Sequence, residues 1–175
     1  MKIAVLGCGT VGSGVVDILD EKPCLMVKSA GEEIGVKYIL DIRDFDDHPE
    51  KELFTKDYND IIADDDVKIV VEVMGGITPA YDYVKACLEN GKSVVTSNKE
   101  LVAAKGAELL KIAQDNNVNF LFEASVGGGI PVLRPMSQCM AANEMTEIFG
   151  ILNGTTNFIL TKMVKENLSF ENEKK

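Results

Sequence analysis

The sequence predicts an α/β fold with a doubly wound parallel sheet, and three observations carry that prediction. Short runs rich in β-branched residues alternate with helical stretches from the first residues to about residue 123. Two of these runs, Lys2–Leu6 and Lys68–Val73, are nearly continuously apolar, as strands covered on both faces are. The first breaks at once into Gly7-Cys8-Gly9-Thr10-Val11-Gly12 and passes directly into a helical pattern. Alternation on this scale demands parallel pairing with right-handed crossovers.

The elements follow in order. A helix covers Val11–Leu19, Pro23 punctuates it, and a second helical stretch runs to about Gly31. Val36–Ile42 is the second strand. Asp44–Asp66 is acidic and breaker-rich, read as loops with a short helix near Glu50–Phe54, and Asp64-Asp65-Asp66 reads as a solvated turn. Lys68–Val73 is the third strand, ending in Met74-Gly75-Gly76. A helix begins at Thr78-Pro79 and closes near Asn90, with Pro79 suited to its first turn and Gly91 to its C-cap. Lys92–Thr96 is the fourth strand. Ser97-Asn98-Lys99 follows at its carboxyl end, and a helix continues to Asn116. Asn119–Glu123 is the fifth strand, Pro131–Met140 a helix, Glu144–Leu152 a strand leaving the sheet domain, and Asn157–Glu166 a last helix capped by Thr155 or Thr156.

Gly-x-Gly-x-x-Gly between a strand and a helix is the arrangement of a dinucleotide-binding turn. Gly7 permits the tight turn, Gly9 lets the backbone approach a pyrophosphate, and Gly12 lets helix and strand pack closely. The helix N-terminus then presents N–H groups and a positive dipole end to phosphate. This makes the predicted fold Rossmann-type; the bland alternative is a strand–helix turn that binds nothing. Asp41 at the end of the second strand suits ribose hydroxyls, and Arg43 suits a 2′-phosphate, so the cofactor is NADP or NAD, with a lean to NADP. Ordinary surface charge is the alternative for both. Ligands bind at the carboxyl ends of such strands. The glycine loop, Gly75-Gly76, Ser97-Asn98-Lys99 and Glu123-Ala124-Ser125-Val126-Gly127-Gly128-Gly129 therefore converge on one edge. Lys99 there can polarise a carbonyl oxygen or can simply cap backbone carbonyls.

Composition narrows the partners. A net charge of −10 repels nucleic acid. No apolar run approaches a membrane span, and the chain start does not read as a signal peptide. Cys8, Cys24, Cys87 and Cys139 are too scattered for a metal site or a disulfide framework, which implies reduced thiols and a cytoplasmic protein. The single histidine, His48, reads as a solvated loop residue, so Ser-His and Cys-His catalysis have little support.

Four stretches in order resemble homoserine dehydrogenase: Val71-Glu72-Val73-Met74-Gly75-Gly76, Gly91–Lys99, Phe122–Pro131, and Gly150-Ile151-Leu152-Asn153-Gly154-Thr155-Thr156-Asn157-Phe158-Ile159-Leu160. The resemblance is close from Ile69 to Met163 and weaker across Pro23–Lys68. It implies reversible NAD(P)-dependent reduction of L-aspartate 4-semialdehyde to L-homoserine, on the route to threonine and methionine. It implies that Gly7, Gly9, Thr10, Val11, Gly12, Arg43, Gly75, Ser97 and Lys99 bind the cofactor. It implies that Lys99 lies beside nicotinamide and substrate and assists catalysis. The resemblance likewise implies that Asn153, Gly154 and Thr155 lie near the substrate. It also implies a monovalent cation, usually sodium, on Glu123 and the backbone carbonyls of Val126, Gly128 and Ile130. The alternative for that loop is three glycines that merely allow a tight turn.

The expected organisation is a dinucleotide-binding domain over 1–142 and the beginning of a second, α+β catalytic and dimerisation domain over 143–175. Members of the family continue into that domain, which holds the acid/base lysine and the acidic residues that grip the substrate amino group. The chain is therefore expected to be an amino-terminal portion, homodimeric when whole and inactive alone. Two other readings share the glycine loop: a different Rossmann amino-acid dehydrogenase, and a non-catalytic NAD(P)-binding sensor. The Leu152–Asn157 stretch separates the first, and complementation by the missing domain separates the second.

Overall fold

The structure is a computed structural model that describes residues 1–140, 142–150 and 154–166. Six strands, β1 (Lys2–Leu6), β2 (Gly35–Leu40), β3 (Phe54–Thr55), β4 (Val67–Glu72), β5 (Ser93–Thr96) and β6 (Phe120–Leu121), form one parallel sheet in the order β3-β2-β1-β4-β5-β6. The helices are α1 (Thr10–Glu21), α2 (Pro23–Ala30), α3 (Asn59–Ile62), α4 (Ala80–Glu89), α5 (Lys99–Asp115), α6 (Leu133–Cys139) and α7 (Gly154–Glu166). The order runs one way from β1 and the other way from β4. This is the Rossmann arrangement that the alternation of runs predicts, and its crevice opens where the order reverses.

Strand periodicity explains why both faces are apolar. Ala4 and Leu6 point into the larger core with Val70, Val84, Leu88, Val94, Leu101 and Leu109, which α4 and α5 close. Val5 points the other way, into a smaller cluster with Cys8, Val16 and Ile39. In register, Leu6 stands opposite both Leu40 and Glu72, and Glu72 stands opposite Thr96. The carboxyl ends of β1, β2, β4 and β5 thus finish along one line, and every candidate loop starts from it.

The acidic stretch is more ordered than its composition suggests. Near Glu50–Phe54 there is only a 3-10 turn over Lys51–Leu53, followed by β3 and then α3, neither of which was expected. Phe45 stacks on Phe54 with ring centroids 4.3 Å apart, and His48 packs edge-on to Phe54 at 5.0 Å. His48 is thus half-packed, with Nδ1 accepting from Glu50 N–H, and is not simply solvated. Asp64 is not a solvated turn residue either. It receives Lys37 at 2.6 Å and the Tyr38 hydroxyl at 2.9 Å, and Lys37 holds its carboxyl down at about 2. The buried Lys92 ammonium donates to the Asp64 and Val67 carbonyls, closing the same corner.

Beyond β6 the prediction holds less well. The fifth predicted strand shrinks to Phe120–Leu121, and Glu123–Ser125 is a 3-10 turn. The strand expected over Glu144–Leu152 is not formed across residues 144–150, which are exposed throughout; residues 151 and 152 lie outside the described residues. A strand needs a neighbour for its N–H and C=O groups, and no described strand lies beside this one. The last helix starts at Gly154, three residues before the expected Asn157, so Thr155 and Thr156 fall inside its first turn and do not precede it as caps.

Candidate functional site

The turn after β1 is shaped by its glycines. Gly7 has φ +99°, and a Cβ there would stand 3.2 Å from the Met74 Cα. At Gly12 a Cβ would lie 1.9 Å from the Gly7 carbonyl oxygen, so α1 can start this close to the loop only without a side chain. Gly9 is different: nothing lies within 4 Å of where its Cβ would be. It borders open space, as a residue that faces a ligand should. No side chain caps α1 and no acidic residue occupies its first turn, so its leading N–H groups remain for an anion.

Asp41 and Arg43 close the other side. Asp41 accepts the Cys8 N–H at 2.8 Å, pinning the glycine loop to the end of β2. Arg43 grips both oxygens of Asp41 and donates to the Cys8 carbonyl at 2.7 Å. The Arg43 guanidinium beside it holds the Asp41 carboxyl far below the usual carboxylate range. Asp41 is nearly buried, whereas Arg43 keeps 57% of its side chain exposed. The arginine thus shields the carboxylate expected to meet ribose hydroxyls and turns its own outer edge to solvent. Cys8 is buried, and burial pushes its thiol up, away from nucleophilic use.

Gly7, Gly9, Asp41 and Arg43 line a cavity of about 420 Å³ with Leu40, Ile42, Lys56, Val73, Met74, Gly75, Pro79 and Tyr83. Of the predicted cofactor residues, Gly7, Gly9, Arg43 and Gly75 share its wall. Thr10, Val11 and Gly12 open α1 beside it, without lining it. Ser97 and Lys99 stand at the end of β5 on the same sheet edge, but neither lines the cavity. Lys99 is exposed, opens α5 and has no hydrogen-bond or ion-pair partner among the described residues.

Three contributors escape a reading of the sequence. Lys56 reaches the cavity because β3 exists, and nothing in the acidic stretch announces that strand. Glu72 is fully buried and accepts from the Met74 N–H at 2.9 Å, the Thr96 hydroxyl at 2.5 Å and the Asn98 amide at 3.4 Å. A carboxylate inside an otherwise apolar central strand is the signal that could have found it. Tyr83 faces the cavity from α4 through helix geometry alone.

The Glu123 loop departs from expectation. The Glu123 carboxylate accepts the backbone N–H groups of Val132, Leu133 and Arg134, which hold it below the usual range and start α6. Three of its roughly four lone-pair positions are therefore taken. The carbonyls of Val126, Gly128 and Ile130 accept no hydrogen bond from described residues, and Ile130 O turns back to within 2.3 Å of a Cβ placed on Gly127. The carboxylate is thus mostly committed to the start of α6. No group of three or more His, Cys, Asp or Glu that could hold a metal occurs among the described residues. Asn153 lies outside the described residues, while Gly154 and Thr155 open α7. None of the described helices is long and apolar enough to cross a membrane.

Known proteins match this arrangement over its whole length. The family model for the homoserine dehydrogenase NAD-binding domain matches residues 7–123, and the homoserine dehydrogenase model matches residues 131–173. The homoserine dehydrogenase of Bacillus subtilis is 42% identical over 98% of the chain and 40% of its own length. That of Synechocystis is 40% identical over 98% of the chain and 40% of its own length. The crystal structure of a homoserine dehydrogenase from Thiobacillus denitrificans superposes with a TM-score of 0.89 at 37% identity, covering 99% of the chain and 41% of that protein. A hyperthermophilic archaeal homoserine dehydrogenase mutant in complex with NADPH superposes at 0.81 with 28% identity, over 99% and 59%. The chain spans about 40% of the length of the curated relatives it matches. With these family models spanning most of its length, the chain belongs to the homoserine dehydrogenase family.

Proposed function

We propose that this chain is the cofactor-binding portion of an enzyme that reduces L-aspartate 4-semialdehyde reversibly to L-homoserine with NADPH. One observation supports it most directly. The open side of Gly9 and the exposed edge of Arg43 line one cavity where the sheet order reverses, and the uncapped start of α1 follows directly from Gly9 beside it. The α1 N–H groups would hold the pyrophosphate, and Arg43, with Lys56 lining the same cavity, would favour a 2′-phosphate over a bare ribose. Asp41, already saturated by Arg43 and Cys8, leaves little for the ribose hydroxyls that NAD would offer.

The bound nicotinamide supplies or accepts a hydride. The chain's own residues bind, orient and stabilise. Lys99, at the end of β5, would donate to the substrate carbonyl oxygen as negative charge develops there. Asn153, Gly154 and Thr155 would flank the substrate. A sodium ion on the carbonyls of Val126, Gly128 and Ile130 would tie the glycine-rich loop to α6 through Glu123. Turnover would need residues that the relatives carry in the rest of their length, and a homodimer would form through that part. Four free cysteines among the described residues suit a cytoplasmic setting.

Titration with NADPH and NADH, followed by nucleotide fluorescence in the native chain and in R43A, tests this reading. NADPH should bind more tightly than NADH. R43A should lose about ten- to a hundredfold of NADPH affinity, the worth of a charge-assisted hydrogen bond, with a much smaller loss for NADH. Equal losses for both would remove the 2′-phosphate role, and binding of neither would remove the cofactor assignment.

A further inference from the structure

The buried carboxyl of Glu72 has no part in that scheme. It is fully buried in the sheet, yet its bonding partners among the described residues include no lysine, arginine or histidine. A charge-bearing group is costly in such a place unless its hydrogen bonds do something that an apolar side chain could not.

Those bonds run in two directions. Toward the turn after β4, Glu72 accepts the Met74 N–H at 2.9 Å. Toward α5, it accepts from its register partner Thr96 at 2.5 Å and from the Asn98 amide at 3.4 Å. Asn98 then joins both ends. Its amide donates to the Gly76 carbonyl at 2.6 Å, its N–H donates to the Thr96 hydroxyl at 2.9 Å, and its own oxygen accepts from Leu101 N–H as the N-cap of α5. The first residue of that helix is Lys99. The two loops touch nowhere else through side-chain hydrogen bonds, and no buried side-chain polar atom among the described residues is left without a partner.

We propose that Glu72 is a positioning residue that locks the Gly75–Gly76 turn and the Lys99 end of α5 into one rigid unit. The proposal rests on the cofactor reading above for its functional meaning. One carboxyl sets the position of Lys99 relative to the cavity wall formed by Met74 and Gly75. A shift in the turn on cofactor binding is passed to Lys99 through Asn98, with no direct contact between Glu72 and any ligand. An apolar residue at 72 would fill the same space and leave Met74 N–H, Thr96 and Asn98 without a common acceptor. The sheet would survive, and the Asn98–Gly76 hydrogen bond alone would hold the two loops to each other, less rigidly.

Amide hydrogen exchange and NADPH titration of the native chain, E72Q, T96V and T96S test this. E72Q replaces an acceptor by an NH2 donor facing Thr96 or Met74, and T96V removes the hydroxyl at nearly constant volume. In both, exchange should quicken about tenfold at Met74–Ile77 and at Lys99–Val102 together, with β1 and β2 unchanged. NADPH affinity should fall about tenfold in both, and T96S, which keeps the hydroxyl, should stay within about twofold of the native chain. Quickening at only one segment, or at neither, would overturn the linkage, as would T96S behaving like T96V. If E72Q did not fold, T96V against T96S would still decide it. If the native chain bound neither nucleotide, the cofactor reading would fall, and the exchange comparison would judge the linkage regardless.

Discussion

At Gly12 the need for hydrogen in place of a side chain is steric. A Cβ there would stand 1.9 Å from a backbone oxygen, which cannot rotate aside as a flexible side chain can. G12A must therefore move α1 or reshape the loop. We expect a loss of about 2 kcal/mol in stability, the usual cost of overpacking, and loss of NADPH binding, read by denaturant titration and fluorescence. Gly9, with open space on that side, should accept alanine without loss of stability while still impeding a ligand. Wild-type NADPH affinity in G12A would show that the turn does not shape the site. Asp41 and Arg43 were visible in the sequence as a pair of charges at a strand end. Their mutual grip was not, because residues two apart are compatible with many side-chain arrangements. The loop carbonyl of Cys8 selects the one observed.

At the scale of elements, loops were harder to read than strands. The runs Lys2–Leu6 and Lys68–Val73 carry a continuous apolar pattern that only a covered parallel strand satisfies. β3, of two residues, carries no period and forms because Ile39 and Leu40 offer it a partner edge. Helix α6 likewise depends on a partner remote in sequence. Glu123 accepts the N–H groups of Val132, Leu133 and Arg134 at its start, and its carboxyl is held below the usual range chiefly by those bonds. A depressed carboxylate stabilises above its unfolded pKa and loses that contribution as pH falls through its folded value. Amide protection of α6 should therefore be full at neutral pH and fall on acidification from below about pH 4.5, the ordinary glutamate value, downward. In E123Q the same protection should be weak at neutral pH and flat across that range. A native profile that stays flat on acidification would count against the cap.

For the molecule as a whole, stability resides in the sheet and its two covering layers. Leu6 is fully buried between β2 and β4, and L6A should cost about 3 kcal/mol. Phe149 is 86% exposed and Ile148 64%, so F149S and I148S should change stability by no more than about 0.5 kcal/mol. Denaturant unfolding of the three variants checks both expectations. A large loss in F149S would mean that the stretch after α6 packs on the sheet domain.

The sequence by itself determined the parallel sheet, the glycine turn and the strand ends where ligands gather. Each is written locally, as a periodicity or as a residue type that its backbone demands. The tertiary structure alone decided that Arg43 covers Asp41, that Glu123 caps α6 and that Lys56 joins the cavity. It also placed Glu72 opposite Thr96. These pairings join residues far apart in the chain or choose among side-chain arrangements that the sequence leaves equal. Register and packing set them, and neither exists until the sheet has formed.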